Sequence, residues 1–297
     1  MPVKDLLLAM VVIIAWGLNF VVIKFGLDGV PPMLLGALRF LLVAFPAVFF
    51  IKRPQVPWPW LIAYGVTISL GQFAFLFHAM AHGMPPGLAS LVLQSQAFFT
   101  LFFAALFLGE RLRAANLLGL MIAAGGLALI GLEADKAMPV FALLLTLCAG
   151  AMWGIGNVLT KRFGKVNLTG LVVWGALIPP LPFLALSVWL EGPQQIVHSL
   201  STIGPKSVFA VLYLAYIASM LGYSLWSRLL SRHPAGKVAP FSLLVPVIGI
   251  ASSALVLGER LSGYQWLGGG LVMVGLVINV FGPALLRRVG VGRARAS

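Results

Sequence analysis

Charge is scarce in this sequence, and cysteine is almost absent. Only 9% of the 297 residues are charged, whereas soluble domains carry about 25%. The single cysteine, Cys148, stands within an apolar run, so no disulfide can form inside the chain. Almost no stretch is polar enough to make a water-soluble domain, which argues against a soluble enzyme or binding module. The composition therefore predicts an integral membrane protein.

Long apolar runs take the place of polar sequence. Hydrophobic residues make up 61% of the chain, and the mean hydropathy is +1.04. Runs of about 20 apolar residues are long enough to cross a hydrocarbon core of about 30 Å. We expect an all-α integral membrane protein with ten transmembrane helices, at residues 6–27, 33–51, 60–82, 86–108, 114–132, 138–160, 169–190, 207–230, 236–257 and 264–285.

The sequence Leu-Gly-Glu-Arg-Leu occurs at residues 108–112 and again at residues 257–261, which is 257 − 108 = 149 residues later. Glycines coincide at the same spacing: Gly87 with Gly236, Gly119 with Gly268 and Gly126 with Gly275. A Trp-Gly pair also occurs within the first predicted span, at residues 16–17, and within the sixth, at residues 153–154. We therefore expect two copies of one half, at residues 1–136 and 137–297.

Each predicted half holds five spans, an odd number, so the second half must cross the membrane upside down. Glu110 and Glu259, in the two repeated turns, are then expected at opposite membrane surfaces. We interpret both carboxylates as parts of helix-end turns and not as proton carriers. Inverted repeats of this kind are typical of secondary transporters, in which rocking of one helix set exposes a central site to each side in turn.

The distribution of basic residues predicts the orientation. Of the 20 lysines and arginines, 20 − 5 = 15 fall on the side of the ten-span arrangement that holds both termini. The five on or near the other side are Lys24, Arg39, Lys136, Lys206 and Arg260. Because positive residues resist translocation, both termini are expected in the cytoplasm. Lys24 and Arg39 are expected within a turn or two of the outer surface, where their side chains could snorkel. A basic patch for anionic lipid or nucleic acid is the competing interpretation, and the loop-by-loop alternation favours topology.

Polar and aromatic residues near the centres of the spans are the candidates for substrate binding, because polar groups are costly to bury in hydrocarbon. The predicted substrate-binding residues are Trp16, Asn19, Gln72, Gln94, Trp153, Asn157, Tyr216 and Tyr223. Tyr216 and Tyr223 are seven residues apart and should share a helix face. Gln94 and Gln96 should point in different directions, so at most one should face the substrate. The alternative is that the amides only join helices, through bonds of about 0.6 kcal/mol each.

Several residue sets needed for chemistry are missing from the sequence. No Asp or Glu lies in the middle of a span, so a buried carboxylate relay for protons is not expected. We find no metal-ligand cluster, nucleotide-binding loop or Gly-x-Ser-x-Gly elbow. The sequence thus predicts no catalytic residues, no metal and no cofactor. Prolines in the seventh span, and Pro240 and Pro246 in the ninth, should kink or break those helices.

Several motifs resemble those of a known family. Residues 16–20 (Trp-Gly-Leu-Asn-Phe), residues 38–40 (Leu-Arg-Phe) and the two Gly-Glu-Arg-Leu turns, within ten spans, are similar to the EamA branch of the drug/metabolite transporter superfamily. Residues 83–94 and 242–247 look closest to its O-acetylserine/cysteine exporters. The resemblance covers essentially the whole chain and implies an exporter of small amino-acid-like metabolites in the bacterial inner membrane.

These observations together predict a secondary transporter that exports small neutral or zwitterionic metabolites by alternating access, such as cysteine, O-acetylserine or other amino acids. The cavity is expected to carry little fixed charge, which disfavours strongly anionic substrates. The expected partners are the substrate and the lipid bilayer, without nucleic acid, for a monomer or homodimer. An exporter of aromatic amino acids or drug-like compounds is the alternative, and a membrane-embedded enzyme or a sensor is the rival class.

Overall fold

The computed structural model describes residues 1–133, 138–164 and 166–294 of the chain, without the side chains of residues 235, 236 and 283–294. All regular structure within these ranges is helical. The predicted boundary between residues 136 and 137 lies outside the described residues. The same is true of Lys136, Lys165 and Arg295, which entered the prediction of orientation.

Ten helices in the described part of the chain are long and apolar enough to cross a membrane. They are α1 (Val3–Leu27), α2 (Pro32–Phe49), α3 (Trp58–Ala81), α4 (Pro86–Leu108), α5 (Ala114–Leu132), α6 (Val140–Arg162), α7 (Leu168–Leu190), α8 (Pro205–Arg232), α9 (Ala239–Leu257) and α10 (Gly263–Gly282). A short helix, Pro193–Ser201, lies between α7 and α8. The all-α fold class and the ten predicted spans are confirmed, with bounds that differ by a few residues.

Proline and glycine set many of the helix ends. Proline occupies the first position of α2, α4 and α8, where its missing N–H costs nothing and its fixed φ suits the first turn. The two repeated turns end α4 and α9 in the same way. Gly109 and Gly258 follow those helices with φ of 66° and 67°, in the left-handed conformation that glycine adopts without penalty. The repeated sequence therefore gives the same local structure twice.

Two pairs of corresponding helices in the two predicted halves contain irregular segments of the same kind. A π-helical segment forms residues Gly65–Gly71 of α3, and another forms Tyr213–Leu221 of α8. A 3₁₀ segment forms Leu93–Ser95 of α4, and another forms Ala239–Leu244 at the start of α9. The sequence pattern predicted the disturbance of α9, because Pro240 lies in it. It gave no signal for the π-helical segments, which frequently occur at functional sites.

The helix α7 is also interrupted, as its prolines predict. Its first part ends at Gly175 and its second part begins at Pro180. Proline at this point has no amide hydrogen and clashes with the preceding turn, so the helix restarts instead of continuing.

Equivalent helices of the first five and the last five make equivalent packing contacts. The helix α1 packs against α9 as α6 packs against α4, and α5 packs against α10. A Cβ on Gly17 would lie 2.4 Å from Ile248 of α9, and one on Gly154 would lie 2.8 Å from Phe99 of α4. The two Trp-Gly pairs therefore mark equivalent close helix approaches, which small residues permit.

The two ends of the helix bundle differ in packing. We call the end at which α4 finishes and α1 begins the Glu110 end, and the opposite end, at which α9 finishes, the Glu259 end. Large side chains with no more than 1% exposure concentrate towards the Glu259 end, among them Ile23, Leu35, Phe77, Met84 and Phe183. The apolar core therefore closes one end of the bundle, and the cavity described next occupies the centre and the other end.

Candidate substrate-binding cavity

A cavity of about 300 Å³ lies at the centre of the bundle. Residues of α1 to α4 and of α6 to α9 line it, and no described residue of α5 or α10 does so. Its lining reaches the Glu110 end at Thr160, Leu168 and Leu230, which lie within about one turn of helix ends. At the Glu259 end the lining stops near Arg39 and Leu76, well inside the bundle. The cavity therefore opens towards the Glu110 end.

The cavity brings together most of the residues that the sequence predicted. Those that line it are Trp16, Asn19, Gln72, Gln94, Trp153, Asn157 and Tyr223. Tyr216 does not belong to the lining and packs against the apolar core instead. The prediction that Tyr216 and Tyr223 share a face was wrong because Tyr216 lies in the π-helical segment of α8. The wider turn of a π-helix changes the angle between successive residues, so a spacing of seven no longer keeps one face.

Both Gln94 and Gln96 line the cavity, so the prediction that at most one would do so was also wrong. The 3₁₀ segment Leu93–Ser95 lies across this pair. Its tighter turn gives about three residues per turn and alters the direction of the second amide relative to an ideal α-helix.

The two asparagines of the candidate site have different environments. Asn157 donates from Nδ2 to Gln96 Oε1 at 2.9 Å and to Thr100 Oγ1 at 3.0 Å, so it joins α6 to α4. Asn19 is 9% exposed, and its Oδ1 is buried without a partner. Gln72 is 2% exposed, and its Oε1 also lacks a partner. The cavity wall therefore carries two unused amide acceptors, and an unpaired buried acceptor costs about 1–3 kcal/mol.

An aromatic wall forms where α1 meets α8. The indole Nε1 of Trp16 donates to the carbonyl of Ala218 at 2.9 Å, which fixes the ring. The ring centroid of Trp16 lies 5.3 Å from that of Tyr223 and 5.4 Å from that of Trp226. Trp226 was not among the predicted residues, although its spacing of three from Tyr223 places it on a neighbouring face. This wall offers a large apolar surface with polar edges.

Arg39 of α2 also lines the cavity and is only 3% exposed. Its Nε and Nη2 donate to Ser219 Oγ at 3.3 Å and 3.0 Å, while Nη1 is buried without a partner. Its guanidinium carbon lies 4.0 Å from the ring centroid of Phe73. The expectations that Arg39 snorkels outwards and that the cavity carries little fixed charge were therefore wrong.

The surroundings of α2 explain why Arg39 stays inside. The ring of Phe40 stacks on that of Phe183 at 6.0 Å, and a Cβ on Gly36 would meet the same Phe183 ring at 2.6 Å. These contacts fill the space between Arg39 and the Glu259 end. The sequence does distinguish the two basic residues. Lys24 has an acidic partner four residues later, and its Nζ lies 3.6 Å from Asp28 Oδ1, whereas no acidic residue lies near Arg39 in the sequence.

The π-helical segment of α8 orients Ser219. The hydroxyl of Ser219 donates to the carbonyl of Leu214, five residues earlier, at 2.9 Å. With its proton committed to that carbonyl, the Ser219 oxygen is left to accept from Arg39. The local widening of α8 thus holds the guanidinium at a defined place in the cavity wall.

Carboxylates close the Glu259 end by bonding to the first amides of other helices. Glu259 Oε2 accepts from the amide of Gly87, at the start of α4, at 2.9 Å. Glu191, after α7, accepts from the amides of Met33 and Leu34, at the start of α2, at 2.6 Å and 3.3 Å. Negative charge is favourable at a helix N-terminus, where free N–H groups and the helix dipole meet.

The Glu110 end has a different set of contacts. Glu110 pairs with Lys161 of α6 at 2.5 Å, and both side chains are well exposed. Asp5 of α1 bonds to Arg232, the last residue of α8, at 3.3 Å and to the next residue, His233, at 2.7 Å. Glu110 lies in the turn after α4 and Glu259 in the turn after α9, at opposite ends of the bundle as expected. Of these two carboxylates, only Glu259 bonds to the start of another helix.

Comparison with known proteins agrees with this architecture. The family model described as "EamA-like transporter family" matches residues 3–132 and 140–281. A solved chain described as "Crystal structure of protein" aligns with a TM-score of 0.63 at 22% identity, over 97% of this chain and 99% of that chain. At this identity the likeness shows the fold alone.

Two curated relatives are similar over almost their whole length, and both carry the name "Probable amino-acid metabolite efflux pump". The protein of Escherichia coli (strain K12) is 48% identical, over 97% of this chain and 99% of the relative. The protein of Salmonella typhimurium (strain LT2) is 51% identical, over 94% of this chain and 95% of the relative. With the family match, these similarities show that the chain belongs to the EamA-like transporter family, as a multi-pass membrane protein.

Proposed function

We propose that this protein exports amino acids or closely related metabolites by alternating access, and that it is not an enzyme. The observation that carries the proposal is the central cavity, which reaches the Glu110 end of the bundle and is closed at the Glu259 end. A substrate that enters such a cavity can leave on the other side only if the closed end opens. The names of the two curated relatives support amino acids and their metabolites as the cargo.

The proposed orientation places both termini, and with them the Glu110 end, in the cytoplasm of a bacterial inner membrane. The excess of basic residues on that side supports this orientation. The structure then corresponds to an inward-open state, loaded from the cytoplasm, as an exporter requires.

The proposal divides the chain into two inverted halves, residues 1–136 and 137–297. The two matches of the family model, the repeated Gly-Glu-Arg-Leu turns and the paired irregular segments support this division. The eight proposed substrate-binding residues keep that role except Tyr216, which faces the core. Among the described residues that line the cavity there is no Asp, Glu, His or Cys, so the hydroxyl of Ser242 has no carboxylate or imidazole base in the same wall to activate it as a nucleophile.

Aromatic amino acids form a second candidate cargo. The cavity wall contains three tryptophans and two tyrosines, namely Trp16, Trp153, Trp226, Tyr64 and Tyr223. Offset or edge-to-face packing with an aromatic substrate adds about 0.5–1.5 kcal/mol per ring pair. This wall would favour phenylalanine or tyrosine over cysteine by that margin.

Purified protein in liposomes tests the proposal. It should move labelled L-cysteine, O-acetyl-L-serine or L-phenylalanine across the bilayer without ATP and leave the compound unchanged. The flux should saturate and should be competed by unlabelled substrate, because each cycle fills a limited site. Recovery of an altered product would assign an enzyme instead. Absence of flux for every amino acid tested, with folded protein, would remove the proposed function.

A further inference from the structure

Arg39 has more hydrogen-bond capacity than the protein uses. Arginine presents five N–H donors in a planar fork, and only Nε and Nη2 have a partner, the single hydroxyl of Ser219. Nη1 has no partner, although Arg39 is buried, with an exposed fraction of only 3%. Arg39 belongs to the lining of the cavity, so a small rotation of the guanidinium would bring its unpaired Nη1 to a substrate there.

No described carboxylate neutralises Arg39. The chain has seven acidic residues, and Asp135 lies outside the described residues. Each of the others is bonded near a helix end: Asp5 to His233, Asp28 to Lys206, Glu110 to Lys161, Glu133 to Ser262, Glu191 to Met33 and Glu259 to Gly87. A buried charge without a partner is strongly unfavourable. The ring of Phe73, at 4.0 Å, offsets part of this cost through a cation–π contact.

The three residues before Arg39 occur a second time in the chain, before an apolar residue. The sequence Gly-Ala-Leu precedes Arg39 in α2, and the same Gly-Ala-Leu precedes Ile178 in α7. Both glycines serve a close helix approach: Gly36 to Phe183 and Gly175 to Tyr64. An apolar residue follows the same three residues in the second half, so this close-approach motif does not itself demand an arginine after it.

We propose that Arg39, held by Ser219, binds the carboxylate of the transported amino acid and makes the transporter select substrates that carry one. This inference rests on the proposed function, because it takes the central cavity as the transport site. A guanidinium fork pairs with a carboxylate through two parallel, charge-assisted hydrogen bonds. The substrate thus supplies the counter-charge that none of the described carboxylates provides.

The remaining unpaired groups of the cavity complete a site for a zwitterion. Asn19 Oδ1 and Gln72 Oε1 are acceptors without partners, and both residues line the same cavity as Arg39. An ammonium group has three donors and no acceptor, so it matches these two oxygens. The aromatic faces of Trp16 and Tyr223 are further places where an ammonium group is attracted. The side chain of the substrate would lie towards the remaining aromatic wall.

Competition measurements in liposomes test this assignment. The probe is whichever of labelled L-cysteine, O-acetyl-L-serine or L-phenylalanine gives saturable flux. The competitors are the same amino acid unlabelled, its carboxamide, and the amine that lacks the carboxyl group. For the unaltered protein, the amino acid should compete on the order of 10- to 100-fold more strongly than the carboxamide, as expected for loss of a charge-assisted bond.

Variants then locate the preference. In Arg39→Met the ratio between amino acid and carboxamide should fall to about one, while the carboxamide still competes. In Arg39→Lys it should be intermediate, because an ammonium group keeps the charge but not the fork. Ser219→Ala leaves the cation in place without its anchor and should lower the ratio by less than Arg39→Met does. Arg260→Met is the matched control, since it removes an exposed arginine outside the cavity and should keep the full ratio.

The outcomes separate this inference from the proposed function. Equal competition by amino acid and carboxamide in the unaltered protein would overturn the carboxylate site and leave amino-acid transport standing. A folded Arg39→Met protein with the full preference would overturn it as well. If Arg39→Met does not fold, as judged by monodispersity and melting temperature, Ser219→Ala and Arg39→Lys decide, and a full preference in both contradicts the assignment. No flux of any amino acid would instead remove the proposed function.

Discussion

The two Gly-Glu-Arg-Leu turns have the same sequence and the same backbone, but their glutamates have different partners. Glu259 accepts a hydrogen bond from the amide of Gly87, at the start of α4, at the closed end of the cavity. Glu110, at the open end, pairs with Lys161. The repeat therefore determines the local turn, and we infer that the partner of each glutamate depends on which end of the cavity is shut. By the spacing of the repeat, the counterpart of Gly87 is Gly236, at the start of the segment that leads into α9.

This difference suggests how the ends exchange roles. When the Glu110 end closes, we expect Glu110 to leave Lys161 and to bond to the amide of Gly236, as Glu259 now bonds to that of Gly87. The Lys161–Glu110 pair is well exposed, and such pairs contribute about 0–1 kcal/mol. Its loss would cost little. The following predictions test the comparison, from the largest expected effect to the smallest.

Glu259→Ala should weaken the closed end most. Loss of a side-chain bond to a helix N-terminus costs about 1–2 kcal/mol, which is a factor of roughly 5–30 in a population. In a Cys148→Ser background, a cysteine at Met84, which is 1% exposed at the Glu259 end, should react that much faster with an impermeant maleimide. Arg260→Ala, at the exposed neighbour, is the control. An unchanged labelling rate in Glu259→Ala would show that this contact does not hold the end shut.

Glu110→Ala should slow transport without opening the Glu259 end. In the present state it removes only an exposed pair, but in the alternate state it removes the expected bond to the start of α9. Flux should fall by about five- to tenfold, the equivalent of about 1 kcal/mol or slightly more. The labelling rate at position 84 should stay the same. Faster labelling there would contradict the assignment of Glu110 to the other end.

The two proposed halves can also be compared through their asparagines. Asn157→Ala removes bonds to Gln96 and Thr100 and should lower stability by about 0.6 kcal/mol for each. Asn19→Ala removes an acceptor without a partner, so the melting temperature should hold while the substrate concentration for half-maximal flux rises about three- to fivefold. If Asn19→Ala lowered the yield of folded protein as much as it lowered transport, Asn19 would have a packing role and not a binding role.

Lys161→Met should have the smallest effect. It frees Glu110 from its present partner but leaves the carboxylate for the alternate state. Stability should change by no more than about 1 kcal/mol, and flux should stay within about twofold of the unaltered protein. If Lys161→Met slowed transport as much as Glu110→Ala, the ion pair itself would matter and not the expected bond to α9.

Much of the fold could be predicted from the sequence, because helix length, apolar runs and turn residues are local signals. The ten spans and the left-handed glycines at Gly109 and Gly258 follow from them. The π-helical segments of α3 and α8 could not be predicted, since they depend on tertiary packing. For that reason Tyr216, placed on the cavity face by an ideal α-helical count, faces the core.

The candidate site could be predicted in part. Central amides and tryptophans are recognisable in the sequence because such groups are rare and costly in a membrane. Arg39 was placed wrongly because its distance from the helix end allows snorkelling. Only the packing of Phe40 and Phe183 above it reveals that the path outwards is filled. Conversely, the turns that carry Glu259 and Glu110 have the same sequence, so the sequence gives no sign that the two carboxylates have different partners.

The central claim is that one cavity opens at one end as it closes at the other. Spin labels on exposed positions test it most directly: His82→Cys with Arg260→Cys across the Glu259 end, and Arg111→Cys with Ser231→Cys across the Glu110 end, each in Cys148→Ser. On addition of a transported amino acid, electron–electron double resonance should show longer distances across the Glu259 end and shorter distances across the Glu110 end in the same sample. Distances that stay fixed, or that lengthen at both ends together, would contradict the account.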